Sequence, residues 1–437
     1  MIVNPKLPEA FVSRMKRQLG NELPAFLCAL EDAPVRGIRL NIFKETDAVQ
    51  SYKRNSRIPW AHEAYELPAD SDAGSTIIHE AGAFYLQEPG AMLPAAVLNA
   101  KPGEKVLDLC AAPGGKSTQI GIAMRGEGLL VCNDPVPKRA KILSGNIERI
   151  GLPHTIVTCS WPEQLADLWA EGFDAVLVDA PCSGEGMFRR VPESREEWSE
   201  DQARGCAQRQ REILNKAVKL VRPGGRLVYS TCTYNPDEND RIACWLPREH
   251  PDFEPEPFSL PGINAPDGKY TCYPHRMRTE GQFVARFRRI GNGTAELPDE
   301  RSLPKPGREE QAALTASFPE FPAATHRFGN TLVHLNQCPD LRGIRVLRAG
   351  LHLGEVRGKT VFPDHAAAMS INPPEMTALD LDAENACRYI AGEAIESEKE
   401  GWLLIRYKGL IAGWGKGSGG IIRNHYPKGI RGNHYLP

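Results

Sequence analysis

The feature that most constrains this chain is a series of short apolar runs separated by helix-length spacers. The runs are EKVLDLC (104–110), GLLVCND (128–134), TIVTCS (155–160), FDAVLVDAP (173–181) and RLVYSTC (226–232). Runs of this length and composition read as buried strands. The spacers predict a helix from about Lys116, a basic helix up to about Ile150, and a third carrying Ile213, Leu214, Ala217, Val218 and Val221 that stops at PGG (223–225). A short helix follows Cys232, and GQFVARFRR (281–289) alternates as an edge or antiparallel strand would. Repeated strand–helix units with right-handed crossovers make a parallel, doubly wound α/β sheet. Ligands of such sheets sit beyond the carboxyl ends of the strands. Cys110, Asp134, Asp179, Cys182 and Cys232 all fall there, so one cleft is expected to hold them.

The stretch DLCAAPGGKST (108–118) closes the first run and opens a helix. Its GGKST tail suggests a phosphate loop, which needs a glycine five places before the glycine preceding the lysine. Cys110 stands there, followed by two alanines and a proline, and GxGxxG is absent too. The phosphate cradle is missing. What remains is a small-residue loop, Cys110, Ala111, Ala112, Pro113, Gly114, Gly115 and Lys116, that lets backbone approach a ligand closely. Asp134 ends the second run and suits a ribose hydroxyl pair. It also suits the N-cap of the next helix, and the two roles are compatible. Ribose binding without a phosphate cradle fits S-adenosylmethionine.

Eleven cysteines, an odd number with no CxxC pair, make neither a disulfide framework nor a zinc site, and no metal is expected. Cys28, Cys206, Cys338 and Cys387 read as packing thiols. Cys182 and Cys232 differ, because each ends a strand at the ligand edge, where oriented amides can favour a thiolate. A thiol beside a methyl donor suits methylation of a pyrimidine at carbon 5. Thiolate addition to carbon 6 makes carbon 5 nucleophilic, a base removes the carbon 5 proton, and the thiol leaves. Asp179 would hold ring nitrogen 3 through a proton. A base within a helix must first be flipped out.

Three breaks, ELPADSDAGS (66–75), GNGTAELPDERSLPKPGREE (291–310) and INPPEM (371–376), divide the 437 residues. The expected units are 1–75, a core at 76–290, a linker at 291–310, a middle module at 311–375 and a terminal domain at 376–437. A net charge of −2 gives no global pull toward nucleic acid. Locally, 402–437 holds six bases and no acid, whereas 371–400 holds eight acids and two bases. That asymmetry marks either an RNA-facing surface or chance in a short tail. No apolar run of about 18 residues and no signal-peptide core occurs, so a cytoplasmic location without membrane contact is expected.

The segments DLCAAPGGKST, VLVDAPCSGEGMFRR (176–190) and VYSTCTYNPDEND (228–240) resemble the signatures of Sun/Nop-type RNA cytosine-5 methyltransferases, nearest the bacterial RsmF-like branch acting on small-subunit ribosomal RNA. IRLN (38–41), YLQEPGAM (85–92) and YPHRMRTEGQFVARF (273–287) resemble further elements, and the tail from about Trp402 resembles a PUA-like module. The resemblance implies a Rossmann-like class I S-adenosylmethionine methyltransferase core. It adds an N-terminal α+β RNA-binding extension and a C-terminal mixed or β region ending in a PUA-like RNA-binding domain. It also implies Cys232 as nucleophile and Cys182 as an aid to product release. The 110–116 loop would contact the cofactor, with Asp134 at the ribose, Asp179 at the cofactor–cytosine junction, and Lys116 reaching the active site. The implied partner is 16S ribosomal RNA or the small subunit, met by a monomer. Where the family often has an Asn and an acid near the adenine, this chain has Cys159 and Ser160. Transfer RNA or DNA as substrate, and a non-catalytic ribosome-assembly factor, stand as alternatives. In the tail, Trp402, Tyr407, Trp414, Tyr426 and Tyr435 interleave with the bases, as RNA surfaces or small β cores do. Core is expected for Trp402 and Trp414, surface for Arg423, His425 and Lys428.

Overall fold

The computed structural model describes residues 5–298 and 303–432; Tyr435 lies outside them. Its central sheet contains β1 (Lys105–Asp108), β2 (Leu129–Asn133), β3 (Thr155–Thr158), β4 (Phe173–Asp179), β5 (Val221–Thr231), β6 (Phe253–Pro255), β7 (Lys269–Cys272), β8 (Gln282–Arg289) and β9 (Val346–Ala349). The order is β7-β8-β5-β4-β1-β2-β3-β9, with β6 paired to β8. From β5 to β3 every pairing is parallel. β8 and β9 join antiparallel on either side.

Alternate residues along these strands enter two cores, which is why the runs read as continuously apolar. Val106, Leu130, Val157, Leu177 and Val228 point to one face. Leu107, Val131, Ile156, Val178 and Leu227 point to the other. The helices α1 (Gly115–Ala123), α2 (Pro137–Ile150), α3 (Pro162–Leu168), α4 (Glu200–Leu220) and α5 (Asp240–Glu249) complete this unit. α4 buries Ala203, Cys206, Ala207, Gln210, Leu214, Ala217 and Val218 at three-to-four spacing. Truncating fully buried Leu214 to Ala would cost about 2–5 kcal/mol.

Two expectations need correction. Cys28, expected as a packing thiol, is exposed. α4 ends at Leu220, and Val221 instead opens β5, so PGG lies within a strand. There the β4 pairing shifts register between Phe173 and Ala175, a bulge that accommodates the glycines. The run read as an edge or antiparallel strand is antiparallel: Gln282–Arg289 lies between β5 and β7.

Helices Glu9–Leu19 and Leu23–Glu31 pack Phe11, Met15, Phe26 and Leu30 against Phe188, Trp198, Tyr234 and Tyr273. Arg36–Leu40 is the middle strand of a small sheet between Ala64–Leu67 and Phe84–Leu86, so this sheet continues past the 66–75 break. Beyond the core, His326–Phe328, Thr331–His334, Leu351–Arg357 and Thr360–Pro363 form one antiparallel sheet. Ala378–Leu381, Gly401–Tyr407, Leu410–Ser418, Ile421–Asn424 and Ile395–Glu396 form a mixed sheet, parallel only between the first two. Phe318, Leu353, Ala367, Leu404 and Trp414 join them through one core. Trp414 is buried and Trp402 packs partly exposed against the same core; Tyr407 and Tyr426 are buried. Arg423 and Lys428 are exposed and His425 partly so. Among the described residues, no helix is long and apolar enough to cross a membrane.

Candidate active site

The chain passes outward through β1, β2 and β3, then returns to place β4 beside β1. Loops leaving β1 and β4 therefore diverge, and a crevice opens between their carboxyl ends. A cleft of about 240 Å³ lies there, walled by the 110–116 loop, Asp179, Cys232 and Gln282, with Gln87 and Glu88 contributed from the N-terminal region.

The loop is shaped by its small residues. Gly114 has φ of +115°, a conformation side-chain-bearing residues rarely adopt. A Cβ on Gly115 would stand 3.2 Å from Gln87 Nε2 and from the Tyr85 ring. Below the loop, fully buried Asp108 accepts a hydrogen bond from Ser117 Oγ at 2.6 Å, while its Oδ1 has no partner. Burial pushes this carboxyl up to about 7 against that hydrogen bond. A cation in the cleft would satisfy Oδ1, and the ammonium of S-adenosylmethionine is such a group. Cys110 lends shape and backbone: burial, reinforced by Asp108 and Asp179, pushes its thiol up and keeps it neutral.

Asp134 is buried, with Oδ1 accepting from Val136 N at 3.0 Å and Oδ2 paired to Arg139 at 3.3 Å. The turn-forming role is therefore what the geometry displays, and Asp134 is not among the residues walling the cleft. Ser160 Oγ accepts from Arg345 N at 3.3 Å, and Cys159 N donates to Arg345 O at 2.8 Å. The segment leading into β9 thus occupies the corner where the sequence departs from the family it resembles.

The two thiols meet. Cys182 Sγ lies 3.2 Å from Cys232 Sγ and accepts from Cys232 N at 3.3 Å. Gly186 N donates to Cys232 O at 2.8 Å, and a Cβ there would fall 2.9 Å from that oxygen, so only glycine fits. Buried Glu238 accepts from Ser183 N at 2.9 Å, Ser183 Oγ at 2.5 Å and Gln210 Nε2 at 2.9 Å. Those bonds tie the β4 loop to the β5 loop and to α4. Glu185, also buried, pairs with Arg14 at 2.6 Å and accepts from Trp198 Nε1 at 3.1 Å, so the N-terminal helix braces the same loop. The hydrogen bond to Cys232, then burial, raises the Cys182 thiol well above its ordinary pKa.

Asp179 stands beside them and accepts from Lys116 Nζ at 2.7 Å, Ser230 Oγ at 2.6 Å and Gln282 Nε2 at 3.4 Å. Burial works against the Lys116 charge, but Asp179 outweighs it and raises the ammonium pKa. The cleft therefore unites Cys110, Lys116, Asp179 and Cys232, with Cys182 against Cys232. Ser230, Gln282, Glu185 and Glu238 were missed by sequence reasoning. All four lie within the quoted motifs, but only strand register shows that Ser230 sits opposite Asp179.

Comparison with known proteins fits this arrangement. The model for 16S rRNA methyltransferase RsmB/F matches residues 95–288. Models for the RsmF N-terminal domain, first C-terminal domain and PUA domain match 7–89, 310–371 and 377–431. Ribosomal RNA small subunit methyltransferase F of Escherichia coli (strain K12) is 32% identical, with 96% of each chain covered. The chain belongs to the RsmF family. Its Salmonella agona relative of the same name is 31% identical, again over 96% of each chain. A solved methyltransferase homologue from Pyrococcus horikoshii is 30% identical with a TM-score of 0.57, covering 65% of this chain and 95% of that one. NSun6 from the same organism, solved with SFG, shares the fold at 22% identity and a TM-score of 0.56, over 65% and 99% of the two chains. RsmF-family chains are S-adenosylmethionine-dependent methyltransferases. The unpartnered Asp108 oxygen and the small-residue cradle fit that cofactor.

Proposed function

We propose that this RsmF-family enzyme methylates cytosine at carbon 5 in 16S ribosomal RNA through a covalent Cys232 adduct. The observation that carries the reading is the pair of thiols 3.2 Å apart, with Cys232 opening onto the cleft that also holds the Lys116–Asp179 pair. S-adenosylmethionine, when bound, supplies the methyl group, held by the 110–116 loop and Asp108, with Asp134 as the ribose acid.

Cys232 attacks carbon 6 of a flipped cytosine as its thiolate, and carbon 5 becomes enamine-like. Asp179 and Lys116 bring a proton to ring nitrogen 3, neutralising the charge the addition places there. The leading cause of the raised Cys182 pKa is its hydrogen bond with Cys232. Once Cys232 is bonded to carbon 6 that cause is gone, so the Cys182 thiol loses its proton to solvent more readily and its thiolate is available to take the carbon 5 proton. After carbon 5 has gained the methyl group, removing that proton restores the double bond and expels the Cys232 thiolate, and the nitrogen 3 proton returns to Asp179 as the product is freed.

The matched PUA domain supports RNA as partner, and a monomer acting in the cytoplasm completes the reading. Tritium transfer from labelled cofactor to 16S ribosomal RNA, with bisulfite mapping of the product, is the test. Cys182→Ala should accumulate a protein–RNA adduct and Cys232→Ala should form none. Activity retained in Cys232→Ala but lost in Cys182→Ala would reverse the assignment.

A further inference from the structure

Where the two C-terminal sheets meet, aromatic and basic side chains cluster across the join. Trp402, Lys416 and Arg423 stand directly opposite one another on three adjacent strands, so they share one face. The Lys416 ammonium lies 5.2 Å from the Trp402 ring centroid and 5.7 Å from that of Phe362. His425 packs on Trp402 at 4.4 Å between ring centroids, and the Arg357 guanidinium lies 4.6 Å from the Phe362 ring centroid. Phe362 and Arg357 belong to the 351–363 hairpin, so the surface needs both modules.

Its charge is unbalanced. Like charges directly opposite in a sheet are destabilising, yet Lys416 faces Arg423 with no ion pair for either among the described residues. Three other bases of the region are engaged. Arg406 is doubly bonded to Asp380, Arg388 pairs with Glu393, and Arg431 donates to Tyr426 O. Arg357 has Glu355 at 3.0 Å, and both side chains are largely exposed. Burial, then Lys416, Arg423, Arg357 and Arg431, lower the His425 pKa, so its ring is neutral near pH 7.

We propose that this seam docks unpaired RNA, with Lys416, Arg423 and Arg357 on phosphates and with Trp402, Phe362 and His425 offering ring faces to bases. An acidic protein would use the cations but not the ring faces between them, whereas single-stranded RNA uses both. The inference rests on RNA as substrate and adds a second contact surface outside the catalytic cleft.

The test uses the full chain and a fluorescein-labelled 20-nucleotide oligouridine, with anisotropy measured across a salt series. The double variant K416Q/R423Q should bind roughly 10-fold or more weakly at low salt. Its slope of log affinity against log salt should shrink by about 1.4, about 0.7 for each single-strand phosphate contact. K416R/R423K should recover most of the slope, and K138Q/K141Q on α2 should leave it within error. W402L should weaken binding without changing the slope, because stacking releases no counterions. Wild-type affinity and slope in K416Q/R423Q would overturn the proposal. So would a W402L variant with unchanged affinity whose companion K416Q/R423Q loses oligouridine and dextran sulfate equally, which reduces the seam to a general anion surface. The probe carries no cytosine, so its failure leaves the methylation assay standing, and a failed methylation assay leaves this measurement intact.

Discussion

The catalytic cleft and the C-terminal seam treat charge in opposite ways. In the cleft region every acid that shapes the thiol loops has a fixed donor: Asp179 has Lys116, Glu185 has Arg14, Glu280 has Arg189, and Glu238 has Ser183 and Gln210. At the seam, two cations face each other with no acid between them. Paired, buried charge fixes geometry, which chemistry needs to a fraction of an ångström. Unpaired, exposed charge costs little in water and gains when an anion arrives. The difference separates where the reaction is organised from where the substrate is gripped.

That separation can be broken by experiment. Cys232→Ala should reduce methyl transfer by about 10⁴-fold or more while leaving oligouridine affinity unchanged. Loss of both would show that the two regions are not independent. Asp179→Asn and Lys116→Met should each lower single-turnover methylation by about 10²–10³-fold, with the bound RNA fraction unaltered. Glu238→Ala strands the Ser183 donors, so urea unfolding should show a loss of about 1–3 kcal/mol. Its Cys182 function should suffer as well, read as adduct accumulation.

A pH series sharpens the cofactor side of the comparison. Burial raises the folded Asp108 pKa to about 7 from an unfolded value of 3.8. The folded state thus holds a proton that the unfolded chain has lost, so this group's contribution to cofactor-free stability falls between about pH 4 and 7 and is flat above. An ammonium beside Asp108 wants the carboxylate, so binding of S-adenosylhomocysteine should weaken by up to about tenfold for each pH unit by which the solution falls below 7. Calorimetry on Asp108→Asn should show a flat profile; a wild-type profile equally flat would remove Asp108 from the cofactor site. The smallest effect belongs to the seam. K416Q/R423Q should keep its single-turnover rate at saturating ribosomal RNA within about twofold, because grip is lost but chemistry is not.

Much of this was readable in the chain. The apolar runs at 104–110, 128–134, 155–160, 173–181 and 226–232 each hold a strand of the central sheet, because residues buried on both faces must be continuously apolar. The motif cysteines fell at strand ends for the same reason. Val221 was misread because a β-branched residue at a helix's apolar spacing also suits a ladder, and pairing with Phe173 decided for the strand. The 281–289 run, read as edge or antiparallel, is antiparallel with two neighbours, and alternation alone does not distinguish those cases. Trp402 showed a similar limit: it packs on the shared core yet keeps a face at the seam.

By itself, then, the sequence determined the doubly wound core, the small-residue loop at 110–116, and which two thiols stand at the strand ends beside one cleft. These follow from local patterns: period, spacing and small residues at a turn. Only the tertiary structure decided that Cys182 touches Cys232, that Ser230 and Gln282 join Lys116 on Asp179, and that Arg14, 171 positions away, braces Glu185. It alone brought Arg357 and Phe362 beside Lys416 and Trp402. Those contacts depend on strand register and on packing between modules, and neither leaves a period in the chain.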